Sequence, residues 1–428
     1  MKFSHGKPKP HEMLMTSAKF TQKLSAFLIF TIPGGLVMLT SIAFILLLGL
    51  LLGSIFSKLK LPSLLGMMVV GIVLGPHALN LMDESILNIS ADLRQIALVI
   101  ILTRAGLSLD ISDLKKVGRP AVLMCFVPAC IEMIGTVILA PVLLGVTTLE
   151  AAIMGSVIAA VSPAVVVPRM IRFMEEGYGK KNGIPQLILA GASVDDVFVI
   201  VVFTAFTSLA STGNISAVKF LQIPVSILLG IAVGVVTGMV LVMFFKRFHM
   251  RDSVKLLILL SLSFLLLELQ NRLEGMVPFS GLLAIMSLGI VIKQKYDILA
   301  VRLSGKYNKL WVAAEIFLFV LVGATVDLKY AVSAGIAAVM VVLGALVFRM
   351  IGVALSLVKT KLTKKERLFC MVAYTPKATV QAAIGAIPLT MGLPCGQIVL
   401  TVAVLSILIT APFGAICMDH LYQKWLEK

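Results

Sequence analysis

The chain has 428 residues, of which 59% are hydrophobic and only 14% are charged. Soluble domains are typically about 45–50% apolar and about 25% charged, whereas one membrane-spanning helix needs about 20 mostly apolar residues. The composition therefore excludes a sizeable soluble domain and predicts an all-α protein that crosses a membrane many times. The net charge of +16 lies in loops between apolar segments, which indicates membrane topology and not nucleic-acid binding.

Apolar runs of about 18–28 residues predict thirteen membrane spans along the chain. In chain order they are 36–56, 61–80, 91–109, 119–144, 149–171, 184–210, 217–245, 253–270, 276–292, 308–327, 330–358, 367–390 and 396–418. The shorter run 24–35 would add a fourteenth helix. Residues 1–23 hold five Lys, so the side of the membrane on which the N-terminus lies is left open.

Positive charge is distributed unevenly among the predicted loops. Lys and Arg cluster in the loops after spans 3, 5, 7, 9 and 11, whereas the loops after spans 2, 4 and 12 contain neither. Cytoplasmic loops are enriched in Lys and Arg, so we expect the basic loops and the C-terminus in the cytoplasm. The expected location is the bacterial inner (plasma) membrane, with membrane lipids as partners and no nucleic acid or soluble partner.

Three short patterns recur at nearly one spacing. "GLSLD" at 106–110 returns as "GATVD" at 323–327, "AVSPAVVV" at 160–167 returns as "AYTPKATV" at 373–380, and "GIV" occurs at 71 and at 289. The offsets of 213 to 218 residues predict two six-helix repeats of opposite orientation. Such inverted repeats are typical of secondary transporters, with the ion site near the membrane midplane.

The repeats divide the chain into five segments. The predicted boundaries are a basic N-terminal segment with the extra short run at 1–35, a first repeat at 36–210, a linker helix at 211–250, a second repeat at 251–420 and a short cytoplasmic tail at 421–428.

Proline interrupts one predicted span in each repeat, at Ser162-Pro163 and at Thr375-Pro376. Proline removes a helical donor and frees backbone carbonyls, which the membrane tolerates where they line a cavity or bind an ion. We therefore predict two discontinuous helices whose interruptions, at Val161–Ser162 and at Thr375, contribute to an ion site.

Isolated charges lie inside several predicted spans, where each costs about 2.5–3.5 kcal/mol at the helix centre. They are Glu132, Asp195, Asp196, Arg349 and Lys377. Glu132 and Arg349 can form a buried pair, and Lys377 can offset one aspartate. About one carboxylate is then left to be neutralised by a proton or a small cation.

Competition between H⁺ and a small cation for that carboxylate would be enough for exchange transport. Burial and an adjacent like charge both favour the neutral form of a carboxylate, so H⁺ and Na⁺ can exchange on it. The expected oxygen ligands are Asp196, Ser193 and the backbone near Val161 and Ser162. Such antiport needs no enzyme chemistry and no cofactor, only the transported Na⁺ or Li⁺ and H⁺. Exchange of K⁺ for H⁺, sodium-coupled symport of a solute and a channel remain alternatives.

Three longer motifs carry a family resemblance. "AAVSPAVVVPRM", "YGKKNGIPQLILAGASVDDV" and "YTPKATVQAAIG" together resemble the monovalent cation:proton antiporters, and among them the NHA-type, sodium/hydrogen exchanger 9B-like proteins. The resemblance covers about residues 36–418. It implies a homodimeric Na⁺(Li⁺)/H⁺ antiporter that exchanges cytoplasmic sodium for external protons by alternating access, as a core domain slides past a dimer domain.

The resemblance also implies roles for individual residues. Asp196 matches the ion- and proton-binding aspartate of that family and Asp195 its partner. Ser162 and Thr375 match the two helix interruptions, and Glu132 with Arg349 matches the buried pair. Related bacterial antiporters often have Lys where Arg349 stands. Because arginine is not expected to release its proton, a proton shuttle at this position is not expected.

Overall fold

The computed structural model describes residues 38–109, 118–211, 217–273, 277 and 279–428, without the side chains of 193, 197, 211, 217–224, 328, 329 and 331–334. The basic N-terminal segment and the run 24–35 lie outside these residues. Within the described ranges every regular element is an α-helix.

The described helices are, in chain order, α1 (Met38–Lys58), α2 (Ser63–Leu74), α3 (Glu84–Asn88), α4 (Ser90–Ser108), α5 (Arg119–Met124), α6 (Val127–Leu144), α7 (Thr148–Ile158), α8 (Pro163–Glu175), α9 (Ile184–Ser211), α10 (Ala217–Arg247), α11 (Asp252–Leu273), α12 (Gly281–Lys295), α13 (Asp297–Ala324), α14 (Leu328–Ser356), α15 (Lys364–Ala373), α16 (Thr379–Ile384), α17 (Ile387–Thr390) and α18 (Gly396–Trp425).

Eight stretches of the described residues are long and apolar enough to cross a membrane. They are Met38–Lys58, Arg119–Leu144, Thr148–Glu175, Ile184–Ala210, Val225–Arg247, Asp297–Ala324, Gly335–Ser356 and Gly396–Trp425. Other predicted spans correspond to shorter helices: the span predicted at 61–80 contains the 12-residue α2, and the one at 367–390 contains α16 and α17 and most of α15. The count of thirteen spans therefore stays a prediction.

Both prolines mark interruptions between helices. Helix α7 ends at Ile158 and α8 begins at Pro163, while α15 ends at Ala373 and α16 begins at Thr379. The backbone N–H of Ser162 donates to the carbonyl of Pro376 at 2.8 Å. The two interruptions, 159–162 and 374–378, therefore lie directly against each other.

The helices pack in two groups. Helices α5–α9 pack with α14–α18, and α6 lies along α14; helices α1–α4 pack with α10–α13. We call these the interrupted group and the continuous group. Helix α16 belongs to the interrupted group and also contacts α4 and α13 of the continuous group.

Glycine allows close helix packing in the continuous group. Gly71 of α2 packs against the backbone of Val320–Ala324 in α13, and Gly323 packs in turn against Met68 and Gly71. Gly106 of α4 packs against Met286 and Gly289 of α12 in the same way. Small residues let membrane helices approach until their backbones touch, which is where packing energy between such helices arises.

Helices α8 and α18 are joined at one end of the interrupted group. Asp419 of α18 accepts from Arg169 at 3.2 Å and from Arg172 at 2.7 Å, both in α8. Beyond α18, Glu427 bonds the ammonium of Lys181 at 2.8 Å, and its carbonyl accepts from the N–H of Gly179 at 2.7 Å. The hydrogen bond to Glu427 raises the pKa of Lys181.

Replacing Gly323 by Ala tests the close packing of α13. The new Cβ would collide with the carbonyl oxygen of Met68, so we expect a loss of about 1–3 kcal/mol in the free energy of unfolding. Gly305, in the same helix, has nothing within 4 Å of such a Cβ, and Gly305→Ala should be neutral or stabilising by up to about 1 kcal/mol. The measurement is unfolding in detergent; equal effects of the two variants would contradict the packing argument.

Candidate functional site

Four buried charged side chains meet where the two interruptions cross. Glu132 lies in α6, Asp195 in α9, Arg349 in α14 and Lys377 in the second interruption, and each is at most 2% exposed. Two carboxylates and two cations give this cluster a net charge of zero. Buried charges are tolerated when they are paired in this way, because an isolated ion would lose its hydration without compensation.

Arg349 is the centre of the cluster. One terminal nitrogen, Nη1, lies 2.8 Å from Oε2 of Glu132, and the other, Nη2, lies 2.8 Å from Oδ2 of Asp195. Guanidinium offers five N–H donors in a rigid plane, whereas a lysine ammonium offers three on one atom. Arginine can therefore bind carboxylates on two different helices at once.

The same guanidinium binds the ends of two interrupted helices. Nε donates to the carbonyl of Tyr374 at 2.6 Å, and Nη1 also donates to the carbonyl of Ala159. Tyr374 directly follows α15 and Ala159 directly follows α7. Carbonyls at a helix C-terminus are unpaired and carry partial negative charge. Arg349 therefore compensates both helix ends as well as both carboxylates.

Lys377 has a partner that differs from the expectation. Its ammonium contacts Oε2 of Glu132 at 2.6 Å, and it is Arg349, not Lys377, that binds an aspartate. The backbone N–H of Lys377 donates to Oγ1 of Thr410 in α18 at 2.9 Å. Because this bond fixes the chain directly after Pro376, the lysine side chain is aimed at α6 and its Glu132.

The two adjacent aspartates have different surroundings. Oδ2 of Asp195 accepts from Arg349 and from the backbone N–H of Val161, the latter at 2.7 Å. Among the described residues, the ion pairs of the cluster engage Asp195 and none engages Asp196. Oδ1 of Asp195 and Oδ1 of Asp196 are both buried without a hydrogen-bond partner in the described part of the chain. Asp196 is therefore the carboxylate in excess over the neutral cluster.

The remaining predicted ligands differ in the hydrogen bonds that their oxygen atoms make. Oγ of Ser162 is buried and has no hydrogen-bond partner among the described residues, and its neighbour Val161 binds Asp195. Thr375 lies beside Pro376, but its hydroxyl already donates to the carbonyl of Val372 at 2.8 Å. The side chain of Ser193 lies outside the described residues. The structure thus brings Val161, Ser162 and Asp195 together.

Sequence reasoning missed one buried polar residue at the crossing. Gln381 of α16 donates through Nε2 to the carbonyl of Ala160 at 2.9 Å and to that of Ile158 at 3.4 Å. The available signal was its place as the one amide side chain in the apolar run 378–394. An amide is less costly to bury than a charge, so an amide in an apolar run is a weaker sign of a functional site than a charge such as Lys377.

Chemically, the site offers oxygen atoms to a hard cation or a proton. Among the described residues at the crossing, buried oxygens without a hydrogen-bond partner belong to Ser162, Asp195, Asp196, Tyr374, Thr379 and Gln381, and carboxylate and hydroxyl oxygens suit hard cations. The described residues contain no group of three or more His, Cys, Asp and Glu side chains that could hold a metal ion.

Comparison with known proteins identifies the family. The family model described as "Sodium/hydrogen exchanger, transmembrane" matches residues 40–421. Human Sodium/hydrogen exchanger 9B2 is 32% identical over 383 residues, which cover 86% of this chain and 70% of that protein. The chain belongs to the sodium/hydrogen exchanger family. Human Sodium/hydrogen exchanger 9B1 is also 32% identical, over 390 residues that cover 86% of this chain and 73% of that protein.

A solved member of the wider group has the same fold. The sodium proton antiporter MjNhaP1 from Methanocaldococcus jannaschii, at pH 8, superimposes with a TM-score of 0.79 over 90% of this chain and 98% of its own, at 21% identity. The predicted kinship with cation:proton antiporters is confirmed, and so is an all-α antiporter fold in a membrane. Membership in an exchanger family makes the chain a transporter, not an enzyme. The two 9B relatives are human, which gives the predicted bacterial origin no support.

Replacing Glu132 by Gln tests whether neutrality holds the cluster together. The change leaves two buried cations, Arg349 and Lys377, with Asp195 as the one carboxylate of the cluster. We therefore expect a loss of about 3–5 kcal/mol in the free energy of unfolding. Adding Lys377→Met restores a net charge of zero and should recover part of that loss. The measurement compares unfolding of both variants and the unaltered chain in detergent.

A matched control removes an exposed pair. Arg272 lies 2.8 Å from Glu268, and their side chains are 78% and 52% exposed, so Arg272→Met should cost at most about 1 kcal/mol. A double variant less stable than Glu132→Gln alone would contradict the neutrality argument.

Proposed function

We propose that the chain is a secondary active Na⁺(Li⁺)/H⁺ antiporter in which Asp196 binds H⁺ or Na⁺ in competition. The observation that carries the proposal is the buried, unpartnered oxygen of Asp196 beside a cluster whose own charges already cancel. Family membership and the antiporter fold support the same reaction.

The mechanism follows from charge balance. Ionised Asp196 adds one negative charge to a neutral cluster in low dielectric, which is costly until a proton or a cation neutralises it. Because one carboxylate cannot hold both, release of one ion on either side of the membrane accompanies uptake of the other. No covalent step and no cofactor is needed.

The other site residues take supporting roles in this proposal. Asp195 is bound by Arg349 and by the N–H of Val161, so it orients the site and supplies Oδ1 as a further ligand. The hydroxyls of Ser162 and Ser193 and the carbonyl of Val161 complete the cation ligands. Thr375 belongs to the opposite interruption, and its hydroxyl donates to the carbonyl of Val372.

Internal symmetry supports the proposed architecture of two inverted repeats within thirteen or fourteen helices. Gly71 packs against Gly323, and their repeat counterparts Gly289 and Gly106 pack against each other. Glu132 and Arg349 also stand 217 residues apart and bind each other. A repeat relation of about this offset turns the first glycine contact into the second and exchanges Glu132 with Arg349, as expected when one ancestral pairing is present twice.

Alternating access and assembly complete the proposal. The interrupted group carries every residue of the charge cluster, so its movement against the continuous group would carry the ion from one side to the other. We propose a homodimer in a plasma membrane, surrounded by lipid, with the C-terminus in the cytoplasm. The basic loops support that orientation.

Transport in proteoliposomes tests the proposed reaction. With an imposed acid-inside pH gradient, Na⁺ or Li⁺ should collapse the gradient in the unaltered protein and not in Asp196→Asn, because the amide cannot exchange a proton for a cation. The control Glu268→Gln removes an exposed carboxylate of the continuous group that forms an ion pair with Arg272 at 2.8 Å, and this variant should transport normally. Collapse by K⁺ alone would assign K⁺/H⁺ exchange instead, and no response to any cation would overturn antiport.

The cluster also predicts that exchange moves no net charge. Arg349 keeps its proton, so one carboxylate exchanges one proton for one monovalent cation. A net charge moved per cycle would couple to the membrane potential by about 2.3 kcal/mol per 100 mV. We therefore expect the end point of Na⁺-driven pH change to be the same with and without an imposed potential. A shift of the end point with potential would contradict this and would indicate a second proton, with Lys377 as its carrier.

A further inference from the structure

Three successive carbonyls where α7 ends, that of its last residue and those of the next two, are bound by side chains from the other half of the chain. The carbonyl of Ala159 accepts from Arg349 of the charge cluster. The carbonyls on either side of it, of Ile158 and Ala160, accept from the amide of Gln381. Gln381 is 1% exposed and is not part of the charge cluster.

These carbonyls directly precede the residues that form the site. Val161, next after Ala160, donates its N–H to Asp195 at 2.7 Å. Ser162, one residue further, donates its N–H to Pro376 at 2.8 Å and keeps an unpartnered hydroxyl. Whatever fixes the peptide groups of Ala160 therefore fixes the orientation of the adjoining Val161 and Ser162.

Gln381 also lies in the half-helix that contacts the continuous group. Helix α16 packs against α4 and α13, which belong to that group. A displacement between the two groups would therefore act on α16, and through the amide of Gln381 on the carbonyl end of α7. Helix α9, which carries Asp195, contacts the continuous group at other helices, α10 and α12.

We propose that Gln381 is a positioning residue that sets the cation affinity of the Asp195–Asp196 site from the opposite broken helix, by holding the Ala160 carbonyl. The inference rests on the proposed exchange reaction for its functional readout. The proposed effect is exerted through the amide nitrogen of Gln381, which binds backbone beside Val161 and Ser162. The amide oxygen is buried without a hydrogen-bond partner among the described residues.

Replacing Gln381 by Met tests the proposal by separating affinity from folding. Methionine keeps the length of the side chain and removes both hydrogen bonds, leaving buried carbonyls unsatisfied. We expect the apparent KM for Na⁺ and Li⁺ to rise about fivefold or more, as for the loss of one buried hydrogen bond. The control is Gln270→Met: Gln270 accepts from the N–H of Gly281 at 2.7 Å in the continuous group, so the variant loses a comparable bond away from the site. It should lower the unfolding temperature without changing KM.

Replacing Gln381 by Glu gives a variant in which pH controls whether the side chain can donate the hydrogen bond. Protonated glutamic acid has an O–H that can donate to the Ala160 carbonyl, whereas the carboxylate has no donor. We therefore expect the KM of Gln381→Glu, divided by the KM of the unaltered chain at the same pH, to fall towards one as the pH falls and to increase as the pH rises. The gap in unfolding temperature between this variant and the unaltered chain should also narrow towards acid pH, since the neutral form restores the bond.

The outcomes separate this inference from the proposed reaction. A KM within twofold of normal in Gln381→Met, or a pH profile of Gln381→Glu that parallels the unaltered chain, would overturn the positioning role. Failure of the unaltered chain to exchange any cation would overturn the proposed function instead. The pH-dependent gap in unfolding temperature is measured without transport, and its absence would still overturn the hydrogen bond on which the positioning role depends.

Discussion

The guanidinium of Arg349 is the group on which the interrupted helices depend. It binds two carboxylates from α6 and α9 and two helix ends, those of α7 and α15. Each of these acceptors carries full or partial negative charge and is removed from water, so each would be costly alone. One delocalised cation with five donors compensates all four. A broken helix can therefore end inside the bilayer without leaving its carbonyls unsatisfied.

Neutrality of the cluster also explains why Asp196 differs from its neighbour. Lys377 and Arg349 balance Glu132 and Asp195, so the additional carboxylate has no fixed counter-charge among the described residues. Consecutive residues of a helix point in different directions, and only Asp195 can reach Arg349 and Val161. The two adjacent aspartates thus have different roles, because the helix places their side chains in different surroundings.

Much of this arrangement could be predicted from the sequence, and the reasons for the exceptions are physical. Pro163 and Pro376 mark the interruptions because proline has no N–H in any context, and isolated charges in apolar runs stand out because their burial is expensive. The pair of Glu132 with Arg349 was predictable from their opposite charges. The partner of Lys377 was not, because it depends on how two half-helices cross. The role of Gln381 was not predictable because an amide carries no charge, although its nitrogen donates to two carbonyls.

Helix α18 touches both interrupted helices at two separate heights. Thr410 holds the backbone of Lys377, and Asp419 holds Arg169 and Arg172 of α8. Nine residues of helix separate these contacts, a distance of about 13–14 Å along the axis. Helix α18 continues through this stretch although Pro412 lies inside it, and it therefore contacts the crossing at two points. Each broken helix is consequently attached to α18, and these attachments oppose tilting of one broken helix relative to the other.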